Sequence, residues 1–78
     1  MYKNTSITLH FFELSSLDKP IEQRKPLVLS FRYFDTLKEA LEKFNNIHNK
    51  NVTELFNQFG QKIPLTYHVK KTGLTLYY

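Results

Sequence analysis

Residues 51–63, NVTELFNQFGQKI, fit two periodicities, and the number of helices in the chain depends on which of them folds. Read as a helix, the stretch has Asn51 as cap, Glu54 three residues on, a stripe of Val52, Leu55, Phe56 and Phe59, and Gly60 as terminator. Read as a hairpin, it has a strand through Leu55 and Phe56, a turn over Asn57 to Gly60, and a return strand at Ile63. A helix of about eight residues is marginal in water unless packing compels it. The hairpin is therefore the expectation, with the short helix left open beside it.

If the hairpin forms, the chain has one principal helix, and that helix is written immediately upstream. In residues 35–48, DTLKEALEKFNNIH, Thr36 followed by Glu39 makes a capping-box pattern, in which hydroxyl and carboxylate each take one orphan amide. Leu37, Ala40, Leu41, Phe44 and Ile47 recur at helical spacing, so one stripe should face a sheet while Lys38, Glu39, Glu42 and Lys43 face water. The helix should end near NNIHNKN, where asparagine amides compete for backbone bonds.

The flanking segments alternate with period two. In LVLSFRYF, residues 27–34, Leu27, Leu29, Phe31 and Tyr33 share one face, and Val28, Ser30, Arg32 and Phe34 the other. SITLHFFEL, residues 6–14, alternates as far as Phe11 and then slips in phase; a β-bulge near Phe11 and Phe12 would reconcile the halves and turn Glu13 outward. The polar stretch 15–26, with its two prolines, reads as a long loop between these strands. Downstream, Ile63, Leu65, Tyr67 and Val69 share a face, residues 70–73 read as a hairpin connection with Gly73 at positive φ, and Leu74, Leu76 and Tyr78 return opposite them. The expectation is a single α+β domain over residues 1–78, with an antiparallel sheet of four to five strands and one principal helix packed on one face.

A chain of 78 residues buries only about 60–65% of the surface its unfolded form exposes, which leaves little for a deep catalytic cavity. The sequence has no cysteine, hence no disulfide, thiolate metal site or cysteine nucleophile, which suits a reducing cytoplasm. The first apolar stretch is interrupted by Thr8 and His10, unlike a signal-peptide core, and no run approaches the roughly 20 residues that span a bilayer. A cytoplasmic protein without membrane contact is expected. Eleven Lys and Arg against seven Asp and Glu give a net charge of +4, which favours acidic partners. Arg24-Lys25 and Lys70-Lys71 are pairs and not long basic runs, and a charge of this size also serves solubility.

Nothing in the sequence assembles catalytic chemistry. The carboxylates are spread over loops and the solvated side of the helix, Ser15, Ser16 and Ser30 have no motif-bound base, and the only glycines, Gly60 and Gly73, are turn residues. His10 and His68 could share a sheet face, yet with His48 they match no metal-ligand spacing. No enzymatic activity, cofactor or metal is expected.

One helix covers one face of such a sheet, and the opposite face would carry Thr8, His10, Phe12, Val28, Ser30, Arg32, Phe34, Thr66, His68, Lys70, Thr75 and Tyr77. Interleaved cations and rings suit a protein partner, where Tyr, Phe and Arg are common anchors, and equally suit unstacked bases. Threonine and aromatic residues also favour exposed strands for structural reasons alone. The candidate partner-binding residues are Arg32, His68, Lys70, Lys71 and Tyr77, with Arg24 and Lys25 in the long loop as rim charges. An edge strand such as 74–78 could instead pair with a second copy as a homodimer.

FRYFDTLKEALEKFNN, residues 31–46, followed by VTELFNQFGQKI, residues 52–63, resembles a layout common among small proteins of phages and mobile elements, several anti-CRISPR inhibitors included. The likeness covers about a third of the chain. Such inhibitors share no common site, so no residue role carries over. The resemblance implies a non-enzymatic, phage-type inhibitor or accessory protein that binds a larger protein or ribonucleoprotein and blocks its nucleic-acid-handling surface. The basic charge points to an acidic protein surface or a guide RNA, and away from mimicry of a duplex. The alternative is a small domain that binds single-stranded RNA or DNA directly.

Overall fold

The computed structural model describes residues 6–32, 34–70 and 72–78; expectations that fall on residues 1–5, Tyr33 and Lys71 lie outside the described residues. Five strands and one helix follow in the order β1 (Ile7–Phe12), β2 (Leu27–Phe31), α1 (Leu37–His48), β3 (Leu55–Phe56), β4 (Lys62–Ile63) and β5 (Leu74–Tyr77). Two short 3-10 turns, Leu14–Asp18 and Ile21–Gln23, occupy the loop between β1 and β2. The strands form one mixed sheet in the order β2-β1-β5-β3-β4. All neighbours are antiparallel except β1 and β5, which run parallel with Leu9 opposite Leu74 and Phe11 opposite Leu76. The fold is α+β, with the helix on one face of the sheet.

The core lies between that face and α1. Leu9, Phe11, Leu29, Leu55 and Leu76 point from the sheet and meet Leu37, Ala40, Leu41 and Phe44 from the helix. The Phe11 and Phe44 rings stack with centroids 4.1 Å apart at the centre of this layer. The helix starts as its sequence requires: Thr36 Oγ1 accepts from the Glu39 N–H at 3.4 Å, and Glu39 Oε1 accepts from the N–H groups of Thr36 at 3.0 Å and Asp35 at 2.9 Å. It stops at Asn49, whose φ of 54° lies in the left-handed region that asparagine tolerates. The Asn45 amide then clamps the outgoing chain, donating to the Val52 carbonyl at 2.9 Å and accepting from the Val52 N–H at 3.0 Å.

Residues 51–63 form the hairpin, with Leu55 opposite Ile63 and Phe56 opposite Lys62. Asn57 organises its turn, because Asn57 Oδ1 accepts from the N–H groups of Phe59 at 2.8 Å and Gln61 at 3.0 Å. Gly60, at φ 77°, supplies the left-handed residue.

Among the described residues the closing hairpin expected over residues 63–78 does not form. β5 lies between β1 and β3 in the sheet, paired with β1 along Leu74–Tyr77 and with β3 at Tyr77 alone. Residues 65–69 serve α1 instead. Pro64 has no N–H to give a ladder, and its carbonyl accepts from the Tyr67 N–H at 3.1 Å in a turn. The carbonyls of Tyr67 and Leu65 then accept from the Leu37 and Lys38 N–H groups at 2.9 and 3.0 Å, satisfying orphan donors of the first helical turn. Gly73 keeps its expected positive φ, 76°, and its N–H meets the Thr8 carbonyl at 2.6 Å.

Three smaller expectations are also corrected. The phase slip after Phe11 is a strand end and not a bulge: β1 stops at Phe12, Glu13 is exposed, and Leu14 opens a 3-10 turn. Phe34, expected on the open face, is only 7% exposed and belongs to the core cluster, because β2 ends at Phe31 and strand parity does not extend to it. Ile47, expected to close the helical stripe, is 53% exposed.

Candidate interaction surface

The face of the sheet opposite α1 is built by register. Thr8 lies opposite Ser30, and His10 is flanked by Val28 on one side and Thr75 on the other. Thr8 Oγ1 and Ser30 Oγ are 3.2 Å apart, within hydrogen-bond reach. Val28 is 46% exposed, Ser30 and Thr75 are exposed, and Thr8 and His10 are half-buried. These five residues form a centre without Lys, Arg, Asp or Glu.

One end of the same face is closed. Phe12 and Tyr77 sit side by side with rings 5.6 Å apart, and the loop between β1 and β2 folds over them. Arg24 holds that loop in place: Nε donates to the Lys19 carbonyl at 3.0 Å, Nη2 to the Leu17 carbonyl at 3.1 Å, and Nη1 to the Tyr77 hydroxyl at 3.2 Å. Behind it is a shallow cleft of about 260 Å³ lined by Glu13, Ser16, Lys19, Gln23, Arg24 and Lys25. Ser16 is buried there and donates to the Glu13 carbonyl at 2.6 Å.

The seven candidate residues are thus divided. Arg32 is exposed just past the end of β2, and Lys25 is exposed just before its start, so they stand at the two ends of that strand. Arg24 is half-buried and bonded into the loop, and Tyr77 is 3% exposed beneath it. His68 stands beside the helix start, with Nδ1 3.3 Å from Asp35 Oδ1, away from the strand that carries His10. Lys70 is exposed in the loop that leads to β5, and Lys71 lies outside the described residues. The sequence missed Lys19, which extends the rim from the loop, and Lys43, whose ammonium lies 5.6 Å from the Phe31 ring at the outer strand. Neither belongs to a strand, so alternation carried no signal for them.

Tyr78 is a titrating group whose value is shifted. Burial, and then the negative charge of Glu13, push its hydroxyl above the ordinary tyrosine value. Among the described residues no group of three or more His, Asp or Glu side chains is placed to hold a metal ion, and no helix is long and apolar enough to cross a membrane. The α1 N-terminus is closed to anions, since Tyr67, Leu65 and Thr36 already accept from the Leu37, Lys38 and Glu39 N–H groups. Comparison with known proteins finds no matching family model, curated protein or solved structure.

Proposed function

We propose that this chain acts without chemistry, as a phage-type inhibitor or accessory protein that lays the uncovered side of its sheet against an acidic surface of a larger protein and blocks it by occupancy. The observation that carries the reading is a patch of Thr8, His10, Val28, Ser30 and Thr75, without Lys, Arg, Asp or Glu, that includes a strand with exposed Lys25 before its start and Arg32 after its end. A patch of this kind can be desolvated at little cost at its centre, while the rim charges steer association and select the sign of the partner.

Direct binding of single-stranded nucleic acid is less well supported. It needs exposed rings on which bases stack, and of the two stacked rings of this face Tyr77 is buried and bonded by Arg24 while Phe12 is half-buried beside it.

The test is capture of a partner from a native host by the wild-type chain and by Val28→Glu, Lys25→Glu and Arg32→Glu variants shown to be folded. Loss of capture by all three supports the reading. Equal recovery of one partner by all four proteins would place the functional surface elsewhere. Binding of an oligonucleotide with a steep salt dependence, near one logarithmic unit per phosphate contact, would favour the nucleic-acid reading.

A further inference from the structure

From the geometry we infer that the outer edge of β2 accepts an extended segment of the partner as a sixth strand, an apolar run with acidic residues at both of its ends. The inference rests on the reading that the chain binds a protein, and deepens it by naming the mode.

Among the described residues β2 is the terminal strand on its side of the sheet, paired only with β1. Half of the backbone N–H and C=O groups of an edge strand point outward, where another chain can complete them. Among the described residues no backbone bond outside the ladders involves Leu27–Phe31, so no described loop uses those outward groups. Natural edges are commonly blunted with lysine, proline, bulges or inward charges. Leu27–Phe31, LVLSF, contains none of these, and Pro26 merely sets where the strand begins. The opposite edge strand, β4, is two residues long and carries Lys62 paired with Glu54 at 3.0 Å. The sheet is protected on one edge and open on the other.

The neighbourhood of β2 names the occupant. Lys25 stands exposed before its start and Arg32 after its end, and Lys43 overhangs Phe31 from the helix. Ile47, one turn along from Lys43 and on the same side of α1, is the exposed residue that the helical stripe left over. A strand added here would find apolar cover from Ile47 above and Val28 below, and cations at both ends. A second copy is the poorer fit: antiparallel self-pairing centred on Leu29 sets Arg32 opposite Pro26 of its twin and beside the twin's Lys25, clustering like charges at each end.

The test uses the whole chain and a synthetic peptide of five alternating Val and Thr residues flanked on each side by two Glu. Backbone hydrogen exchange is followed residue by residue at low and high salt. The expected result is slowed exchange at Val28 and Ser30, whose N–H groups point away from β1 because the backbone groups of Thr8 face β5, with a dissociation constant on the order of 100 µM for so small an interface. Binding should weaken about tenfold when Lys replaces the flanking Glu, and should recover when Lys25→Glu and Arg32→Glu are combined with that Lys-flanked peptide. N-methylation of alternate peptide amides should abolish it. Unchanged exchange in β2 at millimolar peptide, undiminished binding of the N-methylated peptide, or slowed exchange in β2 of a peptide-free dimer would each overturn the inference. If the captured host partner is lost on Val28→Glu while β2 exchanges freely in the wild-type complex, the proposed function stands and strand addition fails.

Discussion

Arg24 commits its whole guanidinium to the fold, with bonds to Lys19, Leu17 and Tyr77, although in sequence it is one of a basic pair in a polar loop. Its planar fork is what makes three directions possible, and lysine offers only a point charge. Arg24→Lys should therefore lower stability in urea by about 1–2 kcal/mol, and Tyr77→Phe by about 0.5–1.5 kcal/mol, with the double variant losing less than the sum. Simple additivity would mean that the Arg24–Tyr77 contact contributes nothing. Tyr78 offers a second test. Below the ordinary tyrosine value near 10 both folded and unfolded chains hold the proton, so the contribution is intact. Because burial and Glu13 raise the folded value, the unfolded chain loses its proton first as pH rises, and stability falls until the folded value is passed. Tyr78→Phe should flatten this part of the alkaline limb; an unaltered limb would show that Tyr78 ionises equally in both states.

At the scale of elements, what could be read in the sequence was what is local. The capping box of Thr36 and Glu39, the stripe from Leu37 to Phe44, the alternation of Leu27, Leu29 and Phe31, and the Asn57–Gly60 turn all lie within a few residues of their cause. Residues 65–69 alternate just as well, yet the Leu65 carbonyl is used by Lys38 and the Tyr67 carbonyl by Leu37 at the helix start, far upstream in sequence, and the parallel pairing of β1 with β5 brings together segments near the two ends of the sequence. No window of sequence contains either demand. Both are checked by nuclear Overhauser contacts: Leu9 should lie across from Leu74, and Tyr67 should show none to Leu76. An antiparallel Tyr67–Leu76 contact would restore the closing hairpin and contradict this topology. Asn57→Ala should cost about 1–2 kcal/mol, since two turn amides lose their acceptor; no loss would mean that Gly60 alone sets the turn.

For the whole molecule, the candidate surface was half legible. Strand parity placed Thr8, His10, Val28, Ser30 and Thr75 on one face, and the register confirms that grouping. It could not reveal that a loop would roof Phe12 and Tyr77, nor that His68 would leave the sheet for Asp35, because both depend on where loops dock. What remains is a molecule with two unlike sides. The most direct measurement is a titration of the isotopically labelled chain with its captured partner, read from backbone amide resonances. Shifts confined to Thr8, His10, Val28, Ser30, Arg32 and Thr75, with Lys38, Glu42 and Asn46 on the solvent side of α1 unmoved, are the predicted result. Shifts centred on Lys38, Glu42 and Asn46, with the sheet silent, would contradict it.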